Sequence, residues 1–205
     1  MKKYEESLYC QGYKNIAGLD EVGRGCWAGP LVVAICVLPT SYCNSKIKDS
    51  KKLSVHQRNI LFEEIIKVAL LVDWIIFEPS YVDEHNPKKT SIIGMEQLIN
   101  KHQKNIDFCL IDAEKIKQTS IPSLSIIKGD NLSQSIAAAS IIAKVIRDRE
   151  MEKLDHLYPE YKFSKNKGYG TKEHQLALMK NKPIFNVHRF SYKPIKKILD
   201  YNNKL

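Results

Sequence analysis

Residues 18 to 38 read GLDEVGRGCWAGPLVVAICVL, and this stretch decides the class of fold. A short apolar run that begins at Ile16 ends on the acids Asp20 and Glu21, and a second run from Gly29 to Leu38 is rich in β-branched residues. Short runs of this kind, bounded by glycine and proline, are typical of strands. The stretch therefore predicts two neighbouring strands joined by a glycine-rich turn.

The same turn also matches a dinucleotide-binding motif. Gly23, Gly25 and Ala28 have the required G-x-G-x-x-[GA] spacing, but such a turn leads into a helix whose N-terminal amide groups bind the pyrophosphate. Here the glycines lead into Gly29-Pro30 and an apolar run, which opposes a helix at this position. A dinucleotide-dependent enzyme is therefore the weaker alternative.

The rest of the chain alternates predicted strands and helices. Three more strands are predicted at residues 107–112, 123–128 and 69–77, the last of them buried. Helices are predicted at residues 54–68, 89–104, about 132–157, 172–179 and 194–199. The pattern predicts an α/β fold with a core over residues 1–158 and a basic C-terminal extension, residues 159–205, packed on that core as a single functional unit.

The net charge is concentrated in one part of the chain. Residues 162–199, the basic segment, contain ten Lys or Arg against one acid, Glu173, while the other residues contain 22 of each sign, so the segment accounts for the whole net charge of +9. The aromatic residues Phe163, Tyr169 and Phe185 lie within it. A nucleic-acid backbone attracts such a segment because neutralised phosphates release counterions. The alternative is a lysine-rich surface that binds nothing.

Composition excludes several other classes of protein. With 205 residues, of which 43% are hydrophobic, the chain is long enough to bury its own core. It contains no apolar run of 18 residues and no apolar stretch after its N-terminal lysines, so we expect a cytoplasmic protein that binds no membrane. The five cysteines form an odd set without a C-x-x-C pair, which argues against disulfides and a zinc site.

Acidic residues follow three of the predicted strands. Asp20 and Glu21 end the first, Asp112 follows FCLI, and Asp130 follows SIIKG. Side chains beyond strand ends converge in α/β sheets, although Asp130 or Asn131 could instead only cap the long helix. Grouped carboxylates repel one another unless a cation neutralises them, and oxygen ligands suit Mg²⁺ or Mn²⁺. The four acids and the basic segment suggest phosphodiester cleavage assisted by two metal ions.

A series of motifs spread from about residue 15 to residue 195 resembles bacterial type 2 ribonuclease H, ribonuclease HII. These motifs are GLDEVGRG-x-x-AGP (18–30), DSKKLS (49–54), LIDA (110–113), KGD (128–130), SIAAASIIAKVIRDREM (135–151), KNKGYGTKEH (165–174) and HRFSY (188–192). The resemblance implies a ribonuclease H-like mixed β-sheet flanked by helices, with a C-terminal helical extension. It also implies an endonuclease that acts on RNA/DNA hybrids and on duplex DNA containing ribonucleotides, cutting 5′ to the ribonucleotide to leave 3′-hydroxyl and 5′-phosphate ends.

The resemblance also implies roles for individual residues. The catalytic, metal-binding acids of the family match the four already selected, Asp20, Glu21, Asp112 and Asp130. The G-R-G loop matches Gly23, Arg24 and Gly25, where backbone amides would approach the ribose 2′-hydroxyl, and Tyr169 matches a tyrosine that packs on the neighbouring sugar. Further nucleic-acid contacts are implied for Lys51, Lys144 and Arg189 and, more weakly, for Ser140 and Ser191.

The family pattern is not matched everywhere. The G-R-G loop usually continues Pro-Leu, whereas here it continues Cys26-Trp27. A catalytically inactive nucleic-acid-binding module would be expected to lack at least one of the four acids, and all four are present. We expect a monomer, and the sequence leaves open whether a replication clamp recruits it.

Overall fold

The computed structural model describes residues 2–48 and 50–202, with only the backbone of the last two of these. Asp49 of the DSKKLS motif and the last three residues of the predicted extension lie outside the described residues. Within the described part of the chain, no helix is long and apolar enough to cross a membrane.

Five strands form one mixed sheet, as predicted. Their order across the sheet is β3-β2-β1-β4-β5. The pairs β1–β4 and β4–β5 are parallel, with Leu19 opposite Ile111 and Asp112 opposite Ile126. The strands are β1 (Ile16–Val22), β2 (Leu31–Val37), β3 (Leu71–Phe77), β4 (Phe108–Asp112) and β5 (Ser123–Ile126).

Helices account for about half of the chain. The eight α-helices of the described residues are α1 (Lys3–Cys10), α2 (Val55–Val68), α3 (Pro79–His85), α4 (Pro87–Lys101), α5 (Gln134–Leu157), α6 (Phe163–Asn166), α7 (Lys172–Asn181) and α8 (Lys193–Asn202). The N-cap predicted at Ser54 is confirmed, since its side chain accepts a hydrogen bond from the Gln57 amide within a capping box. The predicted α/β fold is therefore confirmed in its main elements.

One expectation about the elements was wrong. Strand β3 was predicted to be buried, but it lies at the edge of the sheet and most of its residues are partly exposed. An edge strand has a neighbour on one side only, which an apolar run does not reveal. The turn between β1 and β2 contains no helix, so a dinucleotide-binding turn has no helix terminus to present to a pyrophosphate.

The chain forms two compact units that alternate along the sequence. Unit 1 comprises residues 1–22, 33–75 and 91–145, and unit 2 comprises residues 23–32, 76–90 and 146–205. Unit 1 contains most of the sheet and helix α2, while unit 2 contains α3 and all helices after α5.

Close packing in unit 1 depends on one glycine of the opening motif. A Cβ atom on Gly18 would lie 2.0 Å from the backbone carbon of Ser135 at the start of α5. Only glycine leaves room for that helix end against strand β1. Leu19, which directly precedes Asp20 and Glu21, is fully buried. The two acids therefore follow a tightly packed part of the strand.

Candidate active site

In unit 1, two neighbouring parallel strands place carboxylates at the same edge of the sheet. Asp20 and Glu21 lie near the end of β1, and Asp112 is the last residue of β4. Because Leu19 pairs with Ile111, the residues that follow them, Asp20 and Asp112, are adjacent across the strands. The sequence prediction that strand ends gather these acids is consistent with this register.

The environment of Asp20 is strongly unfavourable to a negative charge. The side chain is 5% exposed, and its pKa is raised well above its usual range by burial, then by the charges of Glu21 and Asp112. A hydrogen bond from the Ser140 side chain and one from the Glu21 amide, 2.7 Å from Oδ1, act in the opposite direction. Carboxylates that repel one another in this way provide the oxygen ligands and the excess negative charge that suit a divalent cation.

Asp130 lies in a single 3-10 turn, Gly129–Asn131, directly before helix α5. The sequence left open whether Asp130 or Asn131 serves only as the N-cap of that helix. The cap is Ser133, whose Oγ accepts a hydrogen bond from the Ile136 amide at 3.2 Å. The turn is joined to β4 because the Gly129 amide donates to Asp112 Oδ1 at 2.7 Å. Asp130 is 5% exposed, and a capping role does not account for it.

A cleft of about 600 Å³ in unit 1 contains two of the acids and several basic side chains. Its lining residues are Lys51, Lys52, Asp112, Ala113, Ile127, Lys128, Asp130 and Asn131. Lys51 Nζ lies 3.9 Å from Asp130 Oδ2. The cleft therefore combines carboxylates with ammonium groups, which is the charge pattern required to hold metal ions beside phosphates.

Two predicted contacts on helix α5 differ in accessibility. Lys144 is partly exposed. Ser140, by contrast, is 1% exposed, and its Oγ lies 3.0 Å from that of Ser50 while its side chain also bonds to Asp20. The direct nucleic-acid contact expected at Ser140 is replaced by support of the Asp20 carboxylate, because the hydroxyl is buried. Ser50 was not singled out from sequence, although it belongs to the DSKKLS motif.

In unit 2, the G-R-G loop is held by a buried arginine. Arg189 is fully buried, and its Nη1 donates to the carbonyls of Gly23 at 2.6 Å and Arg24 at 3.2 Å. Its Nη2 donates to the Gly29 carbonyl at 2.9 Å. The phosphate contact expected at Arg189 is therefore corrected: the guanidinium binds backbone carbonyls inside the unit and fixes the loop. Ser191, also considered, donates its hydroxyl to Asp83 instead.

A second buried arginine, Arg147, was missed by the sequence reasoning. Its guanidinium donates to the carbonyls of Pro30, Ala28 and Lys167 at 2.9 to 3.1 Å. Nothing in a helical pattern distinguishes such an arginine from one in solvent; only the match of its segment to the motif 135–151 pointed to it. Gly23 is packed against it, since a Cβ there would lie 2.5 Å from Arg147 Nε.

Tyr169 of the KGYGT loop also belongs to unit 2 and is accessible. Its side chain is 41% exposed, and Arg147 Cζ lies 5.9 Å from its ring centroid. Burial of the hydroxyl raises the pKa of Tyr169 to about 12, with a further contribution from nearby Cys26. The phenol therefore stays protonated at neutral pH, and part of the residue is open to solvent.

Comparison with known proteins agrees with these motifs. The family model for ribonuclease HII matches residues 17–195. Ribonuclease HII of Mycoplasma mycoides is 50% identical over 184 residues, 89% of this chain and 88% of that protein.

Two solved structures are similar in fold. Ribonuclease H2 from Pyrococcus horikoshii superposes with a TM-score of 0.72 at 24% identity, covering 93% of this chain and 100% of that one. The PCNA:RNase HII complex from Archaeoglobus fulgidus contains a chain with a TM-score of 0.66 at 28% identity, covering 85% of this chain and 93% of that one. The ribonuclease H-like fold implied by the motifs is thereby confirmed. The chain belongs to the ribonuclease HII family and is a ribonuclease H.

Proposed function

We propose that the protein is a metal-dependent endonuclease that cuts the RNA strand of RNA/DNA hybrids and the bond 5′ to ribonucleotides embedded in duplex DNA. The observation that carries the proposal is the strand register that brings the buried Asp20 beside Asp112, next to Glu21. Burial, and then the charges of Glu21 and Asp112, raise the pKa of Asp20. Such a group is unfavourable for folding, so its presence at a sheet edge fits a site that uses the negative charge.

The proposed metal ligands are the carboxylates of Asp20, Glu21, Asp112 and Asp130. Their oxygen chemistry suits Mg²⁺ or Mn²⁺, which when bound would activate the attacking water and neutralise charge on the leaving 3′-oxygen. Among residues 2–48 and 50–202, no three His, Cys, Asp or Glu side chains already stand together as a set of ligands. The hydrogen bond from the Ser140 side chain would orient the Asp20 carboxylate in such a site.

The chain's basic groups divide between the two units. In unit 1, Lys51 lies beside Asp130 with its side chain 78% exposed, so we assign it and Lys144 to phosphates of the substrate. The basic segment of unit 2 would attract the duplex over a longer range. We propose that the protein acts as a monomer in which the one chain supplies all four carboxylates.

Recognition of RNA is proposed to lie in unit 2. Gly25 is exposed, and no heavy atom lies within 4 Å of a Cβ built on it, so the loop backbone is open to a close approach by a sugar. The 2′-hydroxyl is the group that distinguishes RNA from DNA at a given position. We assign Gly23, Arg24 and Gly25 to that group and Tyr169 to the adjacent sugar.

The proposal is tested with three matched duplexes: DNA with one ribonucleotide, a continuous RNA/DNA hybrid and DNA alone. Each is incubated with the purified protein in Mg²⁺, in Mn²⁺ and in EDTA, and the ends of the products are identified. We expect cleavage of the first two duplexes with either metal, no cleavage in EDTA, and none of DNA alone. Binding of all duplexes without cleavage would instead support an inactive binding module.

A further inference from the structure

Two buried histidines of unit 2 connect Tyr169 to the HRFSY motif. His174 and His188 are 0% and 1% exposed, and their Nε2 atoms lie 3.2 Å apart. His174 Nδ1 lies 3.0 Å from the carbonyl oxygen of Tyr169. At the other end, His188 Nδ1 lies 3.0 Å from the amide nitrogen of Ile184. The four residues form one continuous chain of hydrogen bonds.

The chemistry of the two ends fixes the position of every proton in this chain. The Ile184 amide can only donate, so His188 Nδ1 accepts and its proton must lie on Nε2. That Nε2–H donates to Nε2 of His174, which leaves the His174 proton on Nδ1. The Tyr169 carbonyl can only accept, and it receives this Nδ1–H. A neutral pair therefore gives each ring nitrogen one hydrogen bond, and every bond donates in the direction from Ile184 to Tyr169. The Tyr169 carbonyl also accepts from the Thr171 amide at 2.8 Å.

The surroundings of the pair keep it neutral. Burial and the neighbouring His174 lower the pKa of His188 to about 3, and burial lowers that of His174. Aromatic rings enclose the pair: Phe163 lies 5.5 Å from His174 and 5.7 Å from His188, and Tyr161 lies 5.0 Å from His188, between centroids. A proton added to His188 Nδ1 would point at the Ile184 N–H, and one added to His174 Nε2 would point at the Nε2–H of His188.

The loop that carries Tyr169 is fixed at several other points in unit 2. The Tyr169 amide donates to the Asn166 carbonyl at 2.9 Å, and the Gly168 carbonyl accepts from the Trp27 amide at 2.8 Å. A Cβ on Gly170 would lie 2.2 Å from the Trp27 indole. The Tyr169 carbonyl is the point of this loop to which the histidine chain attaches.

We propose that His174 and His188 are positioning residues that hold Tyr169 in the orientation needed to select an RNA-to-DNA step. The inference rests on the proposed function, in which the Tyr169 ring packs on the sugar next to the ribonucleotide. Neither histidine touches the substrate, since both are buried. They act through the backbone of Tyr169, so their effect should appear in the choice between substrates.

The test compares cleavage rates on DNA with one ribonucleotide and on a continuous RNA/DNA hybrid. His174→Phe keeps an aromatic ring but removes both nitrogens, and we expect it to lower the ratio of the two rates by about 10-fold to 100-fold, the cost of misplacing a positioned group. His174→Asn keeps an N–H near the place of Nδ1 and should restore most of the ratio. His156→Phe, an exposed histidine of the same unit, is the matched control and should leave the ratio unchanged.

A double-mutant comparison separates positioning from general damage. If His174 acts through Tyr169, then His174→Phe in a Tyr169→Ala background should change the ratio no further. An unchanged ratio in folded His174→Phe, or effects that multiply in the double variant, would overturn the inference. If His174→Phe does not fold, the same two criteria apply to His188→Asn, which keeps an acceptor for Ile184 but removes the Nε2 donor. A wild-type protein that cuts neither substrate would refute the proposed function itself.

Discussion

The charge of Asp112 can be removed with almost no change in shape. Asp112→Asn keeps an oxygen that can accept the hydrogen bond from the Gly129 amide, but the neutral amide is a much weaker ligand for Mg²⁺. We expect a loss of cleavage rate of more than about 100-fold, or 2.7 kcal/mol of barrier, with duplex affinity nearly unchanged. Rates in Mg²⁺ and binding in EDTA measure the two effects separately.

The exposed acid Glu6 of helix α1 provides the control for Asp112. Glu6→Gln removes one charge from the same unit and should leave the cleavage rate within about twofold, as expected of a surface substitution. If Asp112→Asn kept more than a tenth of the wild-type rate, Asp112 would not be a main metal ligand.

The two glycines of the G-R-G loop should respond differently to alanine. Gly23 has a φ of +109° and no space for a Cβ beside Arg147, so Gly23→Ala should cost about 1–3 kcal/mol of unfolding free energy. Gly25 has open space around a Cβ. Gly25→Ala should therefore change stability by less than about 0.5 kcal/mol but slow cleavage about 10-fold, because the added methyl group obstructs the sugar. Urea unfolding and cleavage rates test both; a Gly25→Ala protein with full activity would contradict backbone reading of the ribose there.

At the scale of elements, helix α8 is the part of the basic segment with the clearest division of faces. Ile195 is fully buried in a cluster with Phe163 and Leu178, whereas Lys193, Lys196 and Lys197 are exposed. Replacing these three lysines by glutamine should preserve the fold and weaken duplex binding. The slope of log K against log salt should fall by up to about 0.9 for each lysine that contacts a phosphate.

A triple variant of equal charge tests whether the location of the lysines matters. Lys3, Lys14 and Lys104 are exposed residues of unit 1, and changing all three to glutamine should leave the salt slope closer to that of the wild type. Equal slopes for the two triple variants would mean that net charge alone, and not helix α8, governs the affinity.

The elements also show how far sequence reasoning extends. Short apolar runs located all five strands, and Ser54 marked the start of α2 correctly, because these signals are local. Helices α1, α3 and α6 were missed. Helix α1 is mostly polar, α6 has only four residues, and α3 is a short helix separated from α4 by Asn86 alone, with a φ of +61°. The edge position of β3 depends on strand order, which no single segment encodes.

The same contrast between local signals and features of the packed chain applies to the candidate site. The closeness of Asp20 and Asp112 could be predicted because each ends an apolar run, and the register of β1 and β4 brings the two residues side by side. The buried roles of Arg189 and Arg147 could not be predicted, since the sequence does not distinguish an arginine that donates to buried carbonyls from one that binds phosphate. Only the packed chain reveals which carbonyls need a donor.

At the scale of the whole molecule, the net positive charge and the four acids of the candidate site lie in different parts of the sequence. The basic segment carries the net +9, and it belongs entirely to unit 2, while the four acids belong to unit 1. A chain with evenly mixed charge would gain no directed attraction for a polyanion. In the proposed function, the basic segment would supply attraction for the duplex, and the acids of unit 1 would hold the metal ions.

Global stability should fall in acid because of the buried histidine pair. His188 has a folded-state pKa of about 3 against an unfolded value near 6.5, so the unfolded chain binds more protons between these limits and lowering the pH favours it. The contribution of neutral His188 to the free energy of unfolding is fully present above pH 6.5. Below pH 6.5 it declines by about 1.36 kcal/mol per pH unit, or up to about 3 kcal/mol by pH 4.

The measurement is the free energy of urea unfolding at pH 7 and at pH 4 for wild type and His188→Asn. Other groups, including Asp20, titrate in both proteins and cancel in the difference. His188→Asn should be less stable at pH 7 but lose less on acidification; the same loss in both proteins would mean that His188 takes up its proton in the folded state and that the neutral hydrogen-bonded pair is not maintained.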